Sequence, residues 1–461
     1  MATIAENLTL LKSTKAGIKA AIEAKGVSNV GDKFSDYPAK IASIPTGGST
    51  SGVSQWTGTV DRAGLTELGW STTDIDNFQA NVRWYDWQDP DYTVVDADKS
   101  ITAISQYRNN KDVRYAKMLD TSQVTNMQYM FNGCSSLTSI PALDTSQATN
   151  MSGMLRDCYN LTSIPNLDTS QVTSMNSMFR DCSSLTSIPA LNTSQVTNMD
   201  SMFWGCTRLT SIPALDTSQV TNMQYMFNVC SSLTSIPVLD TSQVTNMQYM
   251  FNGCSSLTSI PTLNTSQVTA MNGMFGECSR LTSIPALDTS KVTDMKNMFY
   301  GCSSLTSIPA LDTSKVTHMN SMFQGCTSLT TIPALDTSKV ISMNYMFSNC
   351  TRLTSIESID FSSCIGTDAM FPSYHNYSKL TSIHVKGSIS FSWTSNGFSS
   401  IPNLDFNSIK SILEAMNRCT NPETAKTMSF KATMTDQDSQ LTNLVSECNG
   451  KGWTITGLTI N

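Results

Sequence analysis

The chain has 461 residues, a formal net charge of −7 and a pI near 5.0, and only 14% of its residues are charged, against about 25% in typical soluble proteins. With no run of Lys or Arg, a nucleic-acid groove and an anionic membrane partner are both argued against. The start, MATIAENLTLLKSTKAGIKAAIEAKG, lacks the basic head, apolar core and cleavage site of a secretory signal, so cytoplasmic synthesis with reduced thiols is expected for the thirteen cysteines.

Residues 1–44 read as a helical module, with Ile4, Leu8, Leu11, Ile18 and Ile22 near one face and FSDYPAKIASI as a short second element. PTGGSTSGVS opens a linker over 45–55. Residues 56–118 hold Trp56, Trp70, Trp84, Tyr85, Trp87 and Tyr92 among Asp residues, a density that predicts a small packed cap before the repeats.

From Leu119 the chain repeats. Cysteines stand at 134, 158, 182, 206, 230, 254, 278, 302, 326 and 350, a 24-residue step over ten copies spanning 119–356. In each copy Met127, Met130, Phe131 and Cys134, or their equivalents, are spaced for one face of a short helix, with Thr125 and Gln128 at capping-box spacing. LTSIP then reads as a strand with Leu137 and Ile140 inward, and Asp144-Thr145-Ser146 as a polar turn. One strand and one short helix in 24 residues predict an α/β solenoid of the leucine-rich-repeat type, whose ten coils would extend roughly 50 Å. Residues 357–400 form a degenerate repeat in which Tyr377 takes the cysteine's place, and 401–461 read as helix, strand, helix, strand, a C-terminal α/β cap.

The repeated cysteines raise the question of metal or disulfide chemistry. Zinc needs four converging ligands, whereas one parallel thiol per coil makes a line, and stacked side chains do not present the facing Cβ vectors a disulfide requires. Cysteine and the paired methionines therefore read as core filling, with no cofactor and no metal. The Asp column at 120, 144, 168, 216, 240, 288, 312 and 336 becomes Asn at 192 and 264, which suits a turn-capping role over a calcium ladder. His318, His375 and His384 lie in no nucleophile motif, and no phosphate-binding loop is present, so an enzyme is not expected.

Positions that vary from copy to copy are the ones the scaffold leaves open. The column after Phe131 reads Asn132, Arg156, Arg180, Trp204, Asn228, Asn252, Gly276, Tyr300, Gln324 and Ser348. A second column holds Tyr129, Tyr225, Tyr249 and Tyr345, and a third holds Arg208, Arg280 and Arg352, three copies apart. Aromatic and Arg side chains on a polar rod predict a glycan- or protein-binding face.

The pattern M-F-x-x-C-x-x-L-x-x-I-P resembles BspA-like leucine-rich repeats, in particular the bacterial surface variety rich in DTSxVTxMxxMFxxC, over residues 119–356. The flanks GIKAAIEAKGVSNVGDKFSDYPAKIASI and AGLTELGWSTTDIDNFQ resemble the N-terminal regions of tail-fibre-type virion proteins from phages of gut bacteria, crAss-like phages among them. LTNLVSECNGKGWTITG is similar to the closing segment of such proteins. The resemblance implies a non-enzymatic virion fibre, on the head or the tail, assembled in the host cytoplasm. It implies attachment to other virion proteins or homo-oligomerisation through residues 1–44, and a repeat surface that meets a host glycan or protein. The alternatives are a bacterial BspA-like surface adhesin and a fibre that degrades polysaccharide.

Overall fold

The computed structural model describes residues 54–55, 83–84, 92–95, 115–118, 121–372, 374–391, 393, 398–419, 426–436 and 438–461. The expected helical module at 1–44 lies outside the described residues, as does most of 45–118. Within that stretch β1 (Ser54–Gln55) pairs antiparallel with β2 (Arg83–Trp84), and β3 (Tyr92–Val95) pairs in parallel with β4 (Tyr115–Met118).

Beyond β4 the chain is a leucine-rich-repeat-type solenoid whose 24-residue coils stack in register, with parallel bridges from Asn126 to Asn150, Asn150 to Ser174, Ser174 to Asn198 and onward. The segment expected to be a short capped helix takes another form: it is a run of tight turns. Met130, Asn132 and Cys134 donate their N–H groups three residues back, to the carbonyls of Met127, Tyr129 and Phe131. The intervening N–H groups of Met127, Tyr129, Phe131 and Gly133 leave the coil and reach Asn150, Ser152, Met154 and Arg156 at 2.7–2.9 Å. Every second peptide thus stands along the rod axis, its C=O toward one neighbouring coil and its N–H toward the other.

That alternation requires left-handed backbone at two positions per coil. The columns headed by Tyr129 and Gly133 have positive φ in all ten copies, from Tyr129 at 57° to Asn349 at 64°. Glycine fills the second column at 133, 205, 253, 301 and 325, where positive φ costs it nothing. Met127, Met130 and Phe131 are held on the inner side by this winding and are fully buried.

LTSIP falls short of a strand in the first nine coils, and the reason is its proline. Thr162 donates to the Thr138 carbonyl at 3.1 Å, but a proline three residues after each such threonine has no N–H with which to extend a ladder. Glu357 stands where the earlier coils have proline, and there β5 (Ser355–Asp360) forms and pairs in parallel with β6 (Ser382–Lys386).

The core is built of stacked columns. Phenylalanine rings from Phe179 to Phe347 lie 5.6–5.9 Å apart with interplanar angles of 4–8°, an offset-stacked arrangement. The cysteine beside each ring does more than fill space. Its thiol donates to the Phe carbonyl of the preceding coil, Cys158 to Phe131 at 3.1 Å and Cys230 to Phe203 at 3.1 Å, through to Cys350 and Phe323 at 3.0 Å. The threonine of DTS is buried and, except at Thr265, donates one coil forward, Thr121 Oγ1 to the Asp144 carbonyl at 2.7 Å and Thr217 to Asp240 at 2.8 Å. Asp144 Oδ1 takes the Ser146 N–H at 3.1 Å and its hydroxyl at 2.7 Å, and Asn192 and Asn264 make the same pair of bonds. The Asp column is a turn column, as its Asn replacements implied.

The solenoid ends by substitution of parts. Tyr377 is buried in the cysteine column, where its hydroxyl takes the Asn349 N–H at 3.1 Å and donates to the Phe347 carbonyl at 3.4 Å. Parallel ring stacking gives way to edge-on contacts among Phe361, Phe371, Tyr377, Phe391, Trp393 and Phe398. Helix α1 (Phe406–Asn417), capped by Asp405, sets Ser408 and Ser411 against the edge of β6. There they accept the Ile383 and Val385 N–H groups at 2.9 and 3.1 Å. β7 (Lys426–Met434), α2 (Gln440–Gly450) and β8 (Trp453–Ile460) complete the helix, strand, helix, strand order, with β7 and β8 parallel.

Three outcomes follow from this packing. Val229 is β-branched and held at φ 61° in the column where glycine is commonest, so Val229→Gly should stabilise the rod by about 1 kcal/mol in denaturant unfolding. All thirteen cysteines are buried and unpaired with one another, and burial pushes the Cys254, Cys302 and Cys350 thiols up to about 12. Native protein at about pH 8 should therefore resist iodoacetamide that alkylates every thiol after denaturation. The Ser218 hydroxyl and N–H hold the Asp216 carboxyl below its ordinary range, and the Ser242 N–H and hydroxyl do the same for Asp240. A carboxyl depressed in the folded state stabilises above its unfolded value and loses that contribution as pH falls through the lower folded value. Asp240→Asn should thus leave stability at neutral pH nearly unchanged, as at Asn192, and flatten its decline between about pH 5 and pH 2.

Candidate binding surface

The outer columns carry the variation, and the structure separates them into closed and open parts. The left-handed position headed by Tyr129 turns the rings of Tyr129, Tyr225 and Tyr249 toward the next coil. A Cβ at Gly153 would meet Tyr129 Cε1 at 2.4 Å, and one at Gly273 would meet Tyr249 Cε1 at 2.2 Å. The rings of Tyr129 and Tyr249 thus lie over the following coil, and glycine there makes the seat.

Tyr225 is followed one coil on by a tyrosine instead, and the two rings stack. Tyr225 and Tyr249 have centroids 5.2 Å apart at 5°, and Trp204, from the adjacent column, lies 4.7 Å from Tyr225 at 22°. Arg180 covers the other side of the indole, its Cζ 3.9 Å from the ring centroid. In the amide orientation that satisfies both of its ends, Asn228 accepts from Trp204 Nε1 at 3.0 Å and donates to Asn252 Oδ1 at 2.9 Å. Arg180, Trp204, Tyr225 and Tyr249 therefore form one array over four coils, ended by Gly273. Part of the candidate set is brought together here, but the flat sides of the Trp204 and Tyr225 rings are taken by neighbours and the indole N–H is bonded to Asn228. Tyr129, Tyr300 and Tyr345 sit in other coils, outside the array; Tyr345 is exposed and the other two are half-buried.

The column after Phe131 is not the free surface its variety suggested. Asn132, Asn228, Gly276 and Ser348 are buried, and Arg156, Arg180, Trp204 and Tyr300 are half-buried. Side chains in this column meet those one coil away: Asn132 Nδ2 donates to the Arg156 carbonyl at 3.1 Å and lies 3.4 Å from Asp157. Size can vary here because each change is met by a neighbour. Arg156 and Arg180 are balanced by Asp157 and Asp181 at 3.4 and 3.3 Å. Burial pushes the Asp181 carboxyl up from its ordinary value, and Arg180 only partly offsets that. The glycine seats and these acidic partners were not singled out in the sequence. The signal for the seats was present as Tyr129 and Tyr249 each followed 24 residues later by glycine.

Arg208, Arg280 and Arg352 are exposed, in a column of their own beside LTSIP. Of the histidines, His318 pairs with the Thr317 hydroxyl at 3.0 Å, burial lowers the His375 imidazole from its ordinary value, and His384 is exposed. Among the described residues no three His, Cys, Asp or Glu side chains converge as a metal site would require, and no helix is long and apolar enough to cross a membrane.

No curated protein matches the chain. Among solved structures it is similar to the T. pallidum leucine-rich repeat protein TpLRR, at 20% identity over 41% of this chain and 76% of that one, with a TM-score of 0.26. A leucine-rich repeat protein from Eubacterium ventriosum matches at 15% identity over 66% of this chain and 89% of that one, TM-score 0.31. A chain of the Drosophila Toll–Spatzle complex matches at 13% identity over 76% of this chain and 47% of that one, TM-score 0.26, so the chain spans about half of that relative's length. The family model described as "Mycoplasma protein of unknown function, DUF285" matches residues 100–211, 186–286 and 280–383. These matches fall on the stretch with the BspA-like pattern and together cover more than half of the sequence, and the chain belongs to that family.

Proposed function

We propose that the chain is a non-enzymatic binding rod, carried as a fibre on a phage virion, that meets a host-surface glycan or protein with its repeat surface. The observation that carries this reading is the division of labour within each coil. Met, Phe, Cys and the DTS threonine are spent on stacking one coil on the next, while charge changes in the columns outside that core, where most of the change in bulk also falls. A scaffold that repeats inward and varies outward is suited to recognition. The virion role rests on the resemblance of the flanks to tail-fibre-type proteins and on the Gly/Ser/Thr linker after residue 44. On this reading residues 1–44 attach the rod to other virion proteins or join copies of it, and assembly takes place in the host cytoplasm.

Purified particles labelled with antibody against the repeat body test the assignment. The expected result is label on intact virions and retention of the full chain on host cells. Absence from virions together with recovery in a bacterial envelope fraction would replace the fibre with a surface adhesin. Release of oligosaccharides from host capsule would make it a polysaccharide-degrading fibre.

A further inference from the structure

Arg208, Arg280 and Arg352 differ from the other repeat arginines in their surroundings. Arg156 and Arg180 each hold the carboxylate of the following residue, and Arg180 also lies on Trp204. The other three are exposed, and among the described residues none of their side chains makes an ion pair, hydrogen bond or ring contact. They recur every 72 residues, three coils apart. With about 4.8 Å between stacked coils, neighbouring guanidinium groups stand roughly 14 Å apart along the rod.

The strip around them is cationic and rich in hydroxyls. Across ten coils the columns headed by Ser135 to Ser139 contain no Asp or Glu, although the whole chain carries a net charge of −7. The acids of the coils lie instead in the DTS turns, beside Arg156 and Arg180, and at Asp200, Glu277 and Asp294, of which Glu277 stands three residues before Arg280 without forming an ion pair with it. One coil beyond Arg352, Lys379 takes the same column and is exposed. Threonine hydroxyls of this strip are fixed by donation to the coil before them, Thr162 to Thr138 at 3.2 Å, Thr234 to Thr210 at 3.3 Å and Thr354 to Thr330 at 3.0 Å. The neighbouring serines at 163, 187, 211, 235, 259, 283 and 307 are exposed.

We propose that this strip binds a linear acidic polysaccharide lying along the rod axis, with Arg208, Arg280 and Arg352 each pairing one acidic group. Guanidinium matches carboxylate geometry with two parallel N–H bonds, and the fixed hydroxyl rows meet the sugar hydroxyls between charges. Nucleic acid is a poor fit, since its phosphates are far denser than one cation in roughly 14 Å. The inference rests on the binding-rod reading and deepens it by naming the ligand class and the face.

The full chain would be titrated with hyaluronan and with polygalacturonate, and with dextran as the neutral polymer. At least one acidic polymer should bind, with affinity falling as salt rises, and dextran should not. R208Q/R280Q/R352Q should weaken that binding by about tenfold or more, whereas K291Q/K315Q/K339Q, which removes the same charge from another column, should not. Deletion of residues 229–252, one whole coil, keeps all three arginines but brings Arg208 to two coils from Arg280, and it should weaken binding in protein that still melts cooperatively. Equal binding by the arginine variant or by the folded deletion, or an equal loss in the lysine variant, overturns the inference. Failure of both acidic polymers overturns it too, and leaves the binding-rod reading standing if the chain still holds to host cells. Failure on cells as well removes both.

Discussion

The rod depends on turning every second peptide bond of one segment along its axis. In an ordinary solenoid strand, extended backbone points its N–H and C=O groups at both neighbours without any positive φ. Here the Met127–Cys134 segment reaches the same end in a compact winding, by alternating turns closed within the coil with peptides bonded between coils. The demand for left-handed backbone at two positions follows directly, and so does the set of residues found there. Glycine meets the demand without strain. Tyr, Ser, Asp, Asn, Glu and Val meet it at a cost that the two neighbouring hydrogen bonds and the packing below offset.

The same constraint explains why cysteine, and not a larger apolar residue, stands at each corner. A Phe carbonyl buried inside the winding has two lone pairs and only one in-coil donor, the N–H of Cys134 or its equivalent. The thiol one coil on supplies a second, weak donor in a space too small for most polar side chains. Tyr377 supports this account from the opposite direction. At the last coil, where one ladder donor would otherwise face no partner, the residue in the cysteine's place is one whose hydroxyl both accepts that N–H and donates to the same carbonyl. Neighbouring methionines and phenylalanines need no such pairing, and they stack.

Much of this was legible in the sequence because a repeat exposes its own rules. The 24-residue period gave the solenoid, the Asn replacements at 192 and 264 gave the turn role of the Asp column, and Tyr377 was visible in its place. The expected short helix gives way to turns because spacings of three and four residues are common to a helix and to successive i-to-i+3 turns, and periodicity alone does not tell them apart. A cue was available: Tyr, Gly, Ser and Asn exchanging in one column fit a left-handed position better than a helix surface. LTSIP has the apolar alternation of a strand, but its proline removes the next ladder donor as well as marking the end of the segment, so the extended pairing stops short. Of the candidate surface, the residue types were readable and their partners were not, because the array from Arg180 to Tyr249 is made by contacts 21 to 24 residues apart in the chain.

Variation between copies therefore carries two meanings that sequence alone runs together. In the columns of Tyr129 and Asn132 a change in one coil is met by a change in the next: a ring above glycine, a ring above a ring, an arginine above an indole. Such positions vary as pairs, and their variety records packing along the rod as much as contact with a ligand. In the column of Arg208, Arg280 and Arg352 the neighbours above and below are serine or threonine, except for the closing Lys379, and no side chain closes over the guanidinium groups. A long cation exposed over small hydroxyl residues makes no ion pair, hydrogen bond or ring contact with the coil that carries it. On the proposed polysaccharide-binding reading its contribution comes from what lies outside the rod, and for that reason the face is assigned to these three arginines and not to the more conspicuous aromatic array beside them.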